Sequence, residues 1–273
     1  MRQKKPTSAL ELAQDMAYAA CHAPTAKRRV ELAKKALELS PRCADAYILL
    51  AEHSRRGSDE ELDLWARAVT AGEDTLGAAG FMDFAGAFWE FRETRPYMRA
   101  RLGLARALWN RDERDDAISH LEEMLELNPD DDQGVRHLLA AYLAEAERND
   151  DLCQLMARYP DEHSAAWAWT GALLAFRKAG DGAPARQRLD EAMAVNPHVR
   201  AYLAGKERMP AALPPSRGAG TPAEAVHYVA GHRRGWERTP GALEWIQSHG
   251  SAANEPVRTS RKSPGETTAR GGS

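Results

Sequence analysis

The sequence predicts an all-α fold, a right-handed solenoid of helical hairpins, on three observations. A small residue, two apolar residues and a closing proline recur at a fixed interval: Ala117, Leu121, Met124 and Pro129 return as Ala185, Leu189, Ala192 and Pro197. The interval is 68 residues throughout, which is two units of about 34, the period of helix–turn–helix repeats. No stretch alternates apolar and polar residues as a half-buried strand does, and β-branched residues are scarce.

The repeats occupy residues 1–206, with an interruption at 72–96. ALELAQDMAYAACH and RRVELAKKALELSP make the first pair, closing on Ala33, Ala36 and Pro41. CADAYILLAEHSRRGSDEELDLWARAVTAGE makes the second, with Tyr47, Leu50 and Ala51 on one helix and Trp65 and Ala68 on the other. The small residue lets antiparallel helices approach, and the larger one fills the groove between them. In the interruption, Phe81, Phe84, Phe88 and Phe91 are spaced 3, 4 and 3 apart, which predicts one face of an inserted helix. That stripe is either core or an alternative docking face. Thr94 and Pro96 then read as cap and first residue of the third pair. DQGVRHLLAAYLAEAERNDDLCQLMARYP is the fourth, its second helix stopping early at Pro160, and AAWAWTGALLAFRKAGDGAPARQRLDEAMAVNP is the fifth. Residues 207–222 are a proline- and glycine-rich connector. Residues 223–249 hold a further helical pair whose halves each start at Thr-Pro, with Trp236 and Trp245 as large apolar residues. Residues 250–273 lack apolar periodicity and are expected to be disordered.

The repeat spacing resembles the tetratricopeptide repeat (TPR) superfamily over roughly residues 8–200. A narrower resemblance lies in the order of CADAYILLAE, AVTAGE, RLGLARALWN, DDAISHLEEMLEL, AVNPHVRAYL, ALPP and EAVHYVAGHRRGWERTPGALEWI. Over roughly residues 30–247 that order resembles the suppressor of tumorigenicity 7 family, most distinctively in its NPHV…LPP…W…GAL run. The first resemblance implies a TPR-like superhelix that binds proteins. The second brings no catalytic residue with it, and implies an ordered LPP segment.

Charge and motifs narrow the function class. Thirty-seven lysines and arginines against 40 acids leave a formal charge of −3, so a globally basic nucleic-acid binder is not indicated. A weak contact through the C-terminal excess, ten bases to six acids from Lys206 onward, is the nucleic-acid alternative. Cys21, Cys43 and Cys153 form no CxxC pair, which argues against a disulfide framework or a thiolate zinc site. No signal peptide and no apolar run of bilayer length is read, so a cytoplasmic protein is expected, without membrane attachment. HExxH, GxSxG, GxGxxG and GxxxxGK[ST] are absent, and neither cofactor nor metal is expected. His227 and His232, five apart, do not share a helical face as metal ligands would. The pair Glu162–His163 carries the alternative, hydrolase-like reading. Ten acids between Asp112 and Asp132 read as a solvated outer face.

A non-enzymatic interaction scaffold is therefore expected, its partner a protein or peptide seated in the concave groove that first helices of stacked pairs create. Aligning the units puts Glu11, Gln14 and Tyr18, then Asp45, Glu52, Arg55 and Arg56, on the groove wall. Arg99, Arg106, Trp109 and Asn110 follow, then Gln133 and Arg136, then Trp167, Thr170, Arg177 and Lys178. The wall runs from acidic to basic. Arg99, Arg106, Arg136, Arg177 and Lys178 with Trp109 and Trp167 suit an acidic segment, through paired hydrogen bonds and stacking.

Overall fold

The computed structural model describes residues 8–249, with thirteen helices and no strand among them. Ten of these helices form five consecutive hairpins. They are α1 (Ala9–Cys21) with α2 (Ala26–Leu39), α3 (Ala44–Glu52) with α4 (Asp59–Asp83), and α5 (Arg95–Asn110) with α6 (Arg114–Leu127). Then come α7 (Val135–Glu145) with α8 (Asn149–Arg158), and α9 (Ala165–Ala179) with α10 (Ala183–Val195). After them stand α11 (His198–Leu203), α12 (Pro222–Glu237) and α13 (Ala242–Ser248). The tail at 250–273 lies outside the described residues.

Local chemistry sets the helix boundaries. Ser8 accepts from the N–H of Glu11, whose carboxylate accepts from the N–H of Ser8, a reciprocal cap. Thr25, Ser58, Ser164 and Thr221 cap α2, α4, α9 and α12 through their hydroxyls. Helices α2, α6 and α10 stop at Ser40, Asn128 and Asn196, each followed by the proline that cannot continue the helix. The repeating positions are the packing surface: Ala33, Ala36, Ala117, Leu121, Met124, Ala185, Leu189 and Ala192 are wholly buried.

The interruption differs from the inserted helix that the phenylalanine spacing predicts. Helix α4 continues to Asp83 with a break at Gly77 (φ 61°), and the chain then turns irregularly from 84 to 94 past Gly86 (φ 84°). Glycine adopts this left-handed geometry at no steric cost, so helical phase is lost between the four rings. Phe88 is fully buried and packs on Phe81 and Tyr97, with ring centroids 5.3 and 6.1 Å away. Phe84 and Phe91 pair at 4.7 Å, where Phe91 is 40% exposed and Met82 is exposed. Thr94 precedes α5, but its hydroxyl donates to the carbonyls of Phe88 and Phe91 rather than capping.

Two further expectations are corrected. Thr221 and Pro222 open α12 as predicted, yet Thr239–Pro240 opens nothing. Helix α13 begins after Gly241 (φ 78°), and the buried Thr239 hydroxyl donates to the carbonyl of Gly235 at 2.8 Å. Asp131, counted above in a solvated acidic face, is buried and accepts from the N–H groups of Val135 and Arg136 at 2.7 and 2.9 Å. Its carboxylate compensates the open start of α7, where a helix leaves donors unpaired.

The close approach of α4 and α5 depends on one missing side chain. A methyl group on Gly103 would lie 2.1 Å from Cζ3 of Trp65, inside van der Waals contact. Overpacking of this kind costs about 1–3 kcal/mol, and Gly103→Ala is expected to lower the urea midpoint accordingly. Trp65→Leu in the same chain should recover most of that loss through coupling. Additive losses in the double variant would refute the contact.

Candidate functional site

Helix layering defines the candidate surface. The first helices of the hairpins pack on one another, α1 on α3, α3 on α5 and α7 on α9, and so form an inner, concave layer. Helix α12 packs across α7 and α9 of that layer. Gly235 permits the approach, since a Cβ there would meet Cβ of Ala144 at 3.2 Å. Tyr228 and Trp236 of α12 are buried, and the Trp236 ring stands edge-on to Trp169 at 6.1 Å. The concave surface over the last two hairpins is therefore filled by the chain itself, and the open part runs over α1, α3 and α5.

Two cavities line the open part. One, of about 630 Å³, holds Gln14, Tyr18, Asp45, Tyr97 and Arg99. The other, about 520 Å³, holds Glu52, Arg56, Arg99, Arg106 and Asn110. Arg99 lines both, so they adjoin along α5. Asp45 accepts from Arg99 at 2.5 Å and from Gln14, linking α1, α3 and α5 through one carboxylate. Arg56 donates to Oδ1 of Asn110 at 3.3 Å. Arg106 is exposed and makes no hydrogen bond or ion pair among the described residues.

The remaining sequence-predicted groove residues are placed elsewhere. Trp109 is buried and stacks flat on Tyr142, centroids 3.7 Å apart. Arg136, in the first turn of α7, is turned toward the α8–α9 loop. Its guanidinium donates to Glu162 at 2.6 and 2.8 Å and to Asp131 at 3.0 Å. Arg177 is held between α7 and α12, donating to the carbonyls of Ala144 and Gly235, to Asn149 and to Thr239. Burial there pulls its pKa below the usual arginine value. Trp167 and Lys178 line a separate outer cavity of about 670 Å³ between α8, α9 and α10. In it the Lys178 ammonium lies 2.7 Å from Cys153 Sγ. The predicted strip Arg99–Arg106–Arg136 is thus interrupted, with two of its three members already paired to carboxylates.

Glu162 and His163 also line that outer cavity, but no hydrogen bond joins them. Glu162 accepts from Arg136 and from the N–H of Ser164. Burial opposes its ionisation, yet these donors hold its carboxyl below the usual range. His227 donates from Nε2 to the carbonyl of Pro214 at 2.8 Å, while His232 sits beside its own helix carbonyl at Tyr228. Among the described residues no group of three His, Cys, Asp or Glu could hold a metal ion. No described helix is long and apolar enough to cross a membrane.

The profile of the ST7 protein family matches residues 7–257. The chain belongs to the ST7 family. Among its relatives, the suppressor of tumorigenicity 7 protein-like of Rattus norvegicus is 29% identical over 248 residues, 80% of this chain and 43% of the rat protein. Suppressor of tumorigenicity 7 protein of Macaca fascicularis is 28% identical over 239 residues, 77% of this chain and 43% of that protein. The chain spans less than half the length of these curated ST7 relatives. Its fold is similar to that of YrrB, described as a TPR protein with an unusual peptide-binding site. The TM-score is 0.53 at 20% identity, over 71% of this chain and 91% of YrrB. This ST7 chain is thus a TPR-like array of helical hairpins.

Proposed function

We propose that this ST7-family chain is a non-enzymatic scaffold that receives an extended acidic segment of another protein along α1, α3 and α5. The observation that carries the reading is the division of the concave surface: α12 fills one part, and the other keeps an unpaired arginine at the junction of the helices. A TPR-like fold and a likeness to a peptide-binding TPR protein support protein binding, by analogy of fold. The committed hydrogen bonds of Glu162 speak against its use as a general base.

A hydrogen bond to a charged group contributes about 1.5–3 kcal/mol, whereas an exposed ion pair contributes about 0–1. Arg106→Ala is expected to weaken partner binding about tenfold where the contact is desolvated. Arg106→Glu, which adds repulsion, is expected to weaken it further. Affinity capture with the tagged full-length protein supplies the partner. Anisotropy with its acidic segments then compares wild type, Arg106→Glu and Glu122→Lys on outer helix α6. Equal affinity of wild type and Arg106→Glu removes the groove and turns attention to the surface at Met82, Phe84 and Phe91.

A further inference from the structure

Where α12 borders the open groove, Tyr142 of α7 packs on Trp109 of α5. The ring is fixed from below by Trp109 at an interplanar angle of 5°, and Arg114 covers Trp109 with its guanidinium carbon 4.7 Å from the ring centroid. The Tyr142 hydroxyl makes no hydrogen bond within the described protein, yet it is not sealed from solvent. Burial pushes its pKa up to about 12, with Glu145 acting in the same direction, while Arg106 and Arg56 pull it back. Arg106 stands one turn before Trp109 and Asn110 on α5, and Arg56, bonded to Asn110, lines the same cavity as Arg106, so both guanidinium groups flank the ring stack that carries the phenol. The nearby carboxylates are mostly engaged. Glu145, buried, faces Arg114 at 3.4 Å and Arg234 of α12 at 3.3 Å. Asp45 belongs to Arg99 and Gln14, and Glu61 accepts from the N–H of Gly57 at 2.5 Å. Glu52 is the remaining acid on this wall.

We propose that the Tyr142 hydroxyl, Arg106 and Arg56 form an anion seat that takes one carboxylate side chain of the acidic segment, closed at one end by Arg234. The seat rests on the groove reading above and adds its recognition chemistry. A phenol and two guanidinium groups are all donors, and none has a carboxylate acceptor among the described residues. An incoming carboxylate supplies acceptors in short, charge-assisted geometry. Glu52 and Glu145 at its margin disfavour a dianion, so a carboxylate fits better than a phosphate. The closing wall comes from α12, a helix that the repeat array does not supply.

Fluorescein-labelled hexaglutamate is the probe, measured by anisotropy against the full-length protein. Arg106→Ala is expected to weaken binding about tenfold and Tyr142→Phe about threefold. Tyr142→Phe keeps the stack on Trp109, and its thermal unfolding should match wild type. Millimolar inorganic phosphate should not displace the peptide. Binding that survives both variants but is lost in Arg99→Ala overturns the seat while leaving the groove reading intact. No binding of hexaglutamate to the wild-type protein overturns both. Displacement by phosphate at concentrations equal to the peptide overturns the carboxylate assignment in favour of a phosphate seat.

Discussion

Replacing Trp236 by alanine is expected to lower the unfolding free energy by about 3–5 kcal/mol, the range for removing a large buried aromatic side chain. The indole is wholly buried on α12. Its N–H donates to the Tyr228 hydroxyl at 2.8 Å, and its ring meets Trp169 edge-on. Trp169 in turn donates to the carbonyl of Asn196 at 3.1 Å. Removing Trp236 leaves a cavity, strips the Trp169 ring of its edge-on partner, and takes the indole donor from the Tyr228 hydroxyl. The loss falls on the contact between α12 and the inner layer, so it bears on the claim that this helix is a permanent occupant of the groove. Urea unfolding followed by circular dichroism measures it. Trp236→Phe should recover part of the stability, because a ring remains without the N–H. A loss below about 1 kcal/mol, the size of an ordinary surface change, would mean that α12 packs loosely, and the division of the concave surface would fall with it.

Much of the fold was legible because the packing positions repeat. Ala117 and Ala185 are small for the same physical reason, and their spacing to Leu121 and Leu189 survives in the chain as a period. What stayed hidden lies where no period exists. Tyr142 reads as one more apolar residue of HLLAAYLAEA, and its stacking on Trp109 requires α5 and α7 to meet. Arg177 was aligned to the groove by its place in the repeat, which was sound for the helix and misleading for the site, because α12 comes from outside the repeats. A signal was present: HYVAGHRRGWE sets Tyr228, His232 and Trp236 four residues apart, a stripe too apolar for a free surface helix. Asp131 and Gly86 were hidden for a different reason. Each acts through a left-handed or capping geometry that composition does not announce, and Asp131 itself has φ 54°. The phenylalanine spacing of 3, 4 and 3 failed on that account: periodicity describes a helix only while the backbone remains helical.

The stability of this chain is expected to fall by up to about 3 kcal/mol as pH drops from 6.5 to 4, on account of His232 alone. Its imidazole is 7% exposed and stacks on Tyr228 with centroids 4.5 Å apart. Nδ1 lies 3.2 Å from the Tyr228 carbonyl, and Nε2 has no hydrogen-bond partner among the described residues. Burial pulls the pKa from the ordinary 6.5 to about 4, and the neighbouring His137 acts in the same direction. Between these two values the unfolded chain binds a proton that the folded chain refuses. Unfolding is then favoured as the solution acidifies, and stability is complete only above about 6.5. His137 and His120 have pKa values lowered chiefly by burial, so both add to the same slope. The carboxylates act lower down. Asp181 and Glu31 are pulled to about 2 by their arginine partners, so their contributions are lost below the ordinary carboxylate range, and the two windows separate. His232→Phe keeps an aromatic ring against Tyr228 and cannot take a proton. Urea midpoints from pH 7.5 to 4.5 should therefore converge on a flatter line for the variant, with the residual slope left to His137 and His120. Parallel losses in the two proteins across that interval would show that His232 is already charged in the fold, and that the face of α12 around it is wet.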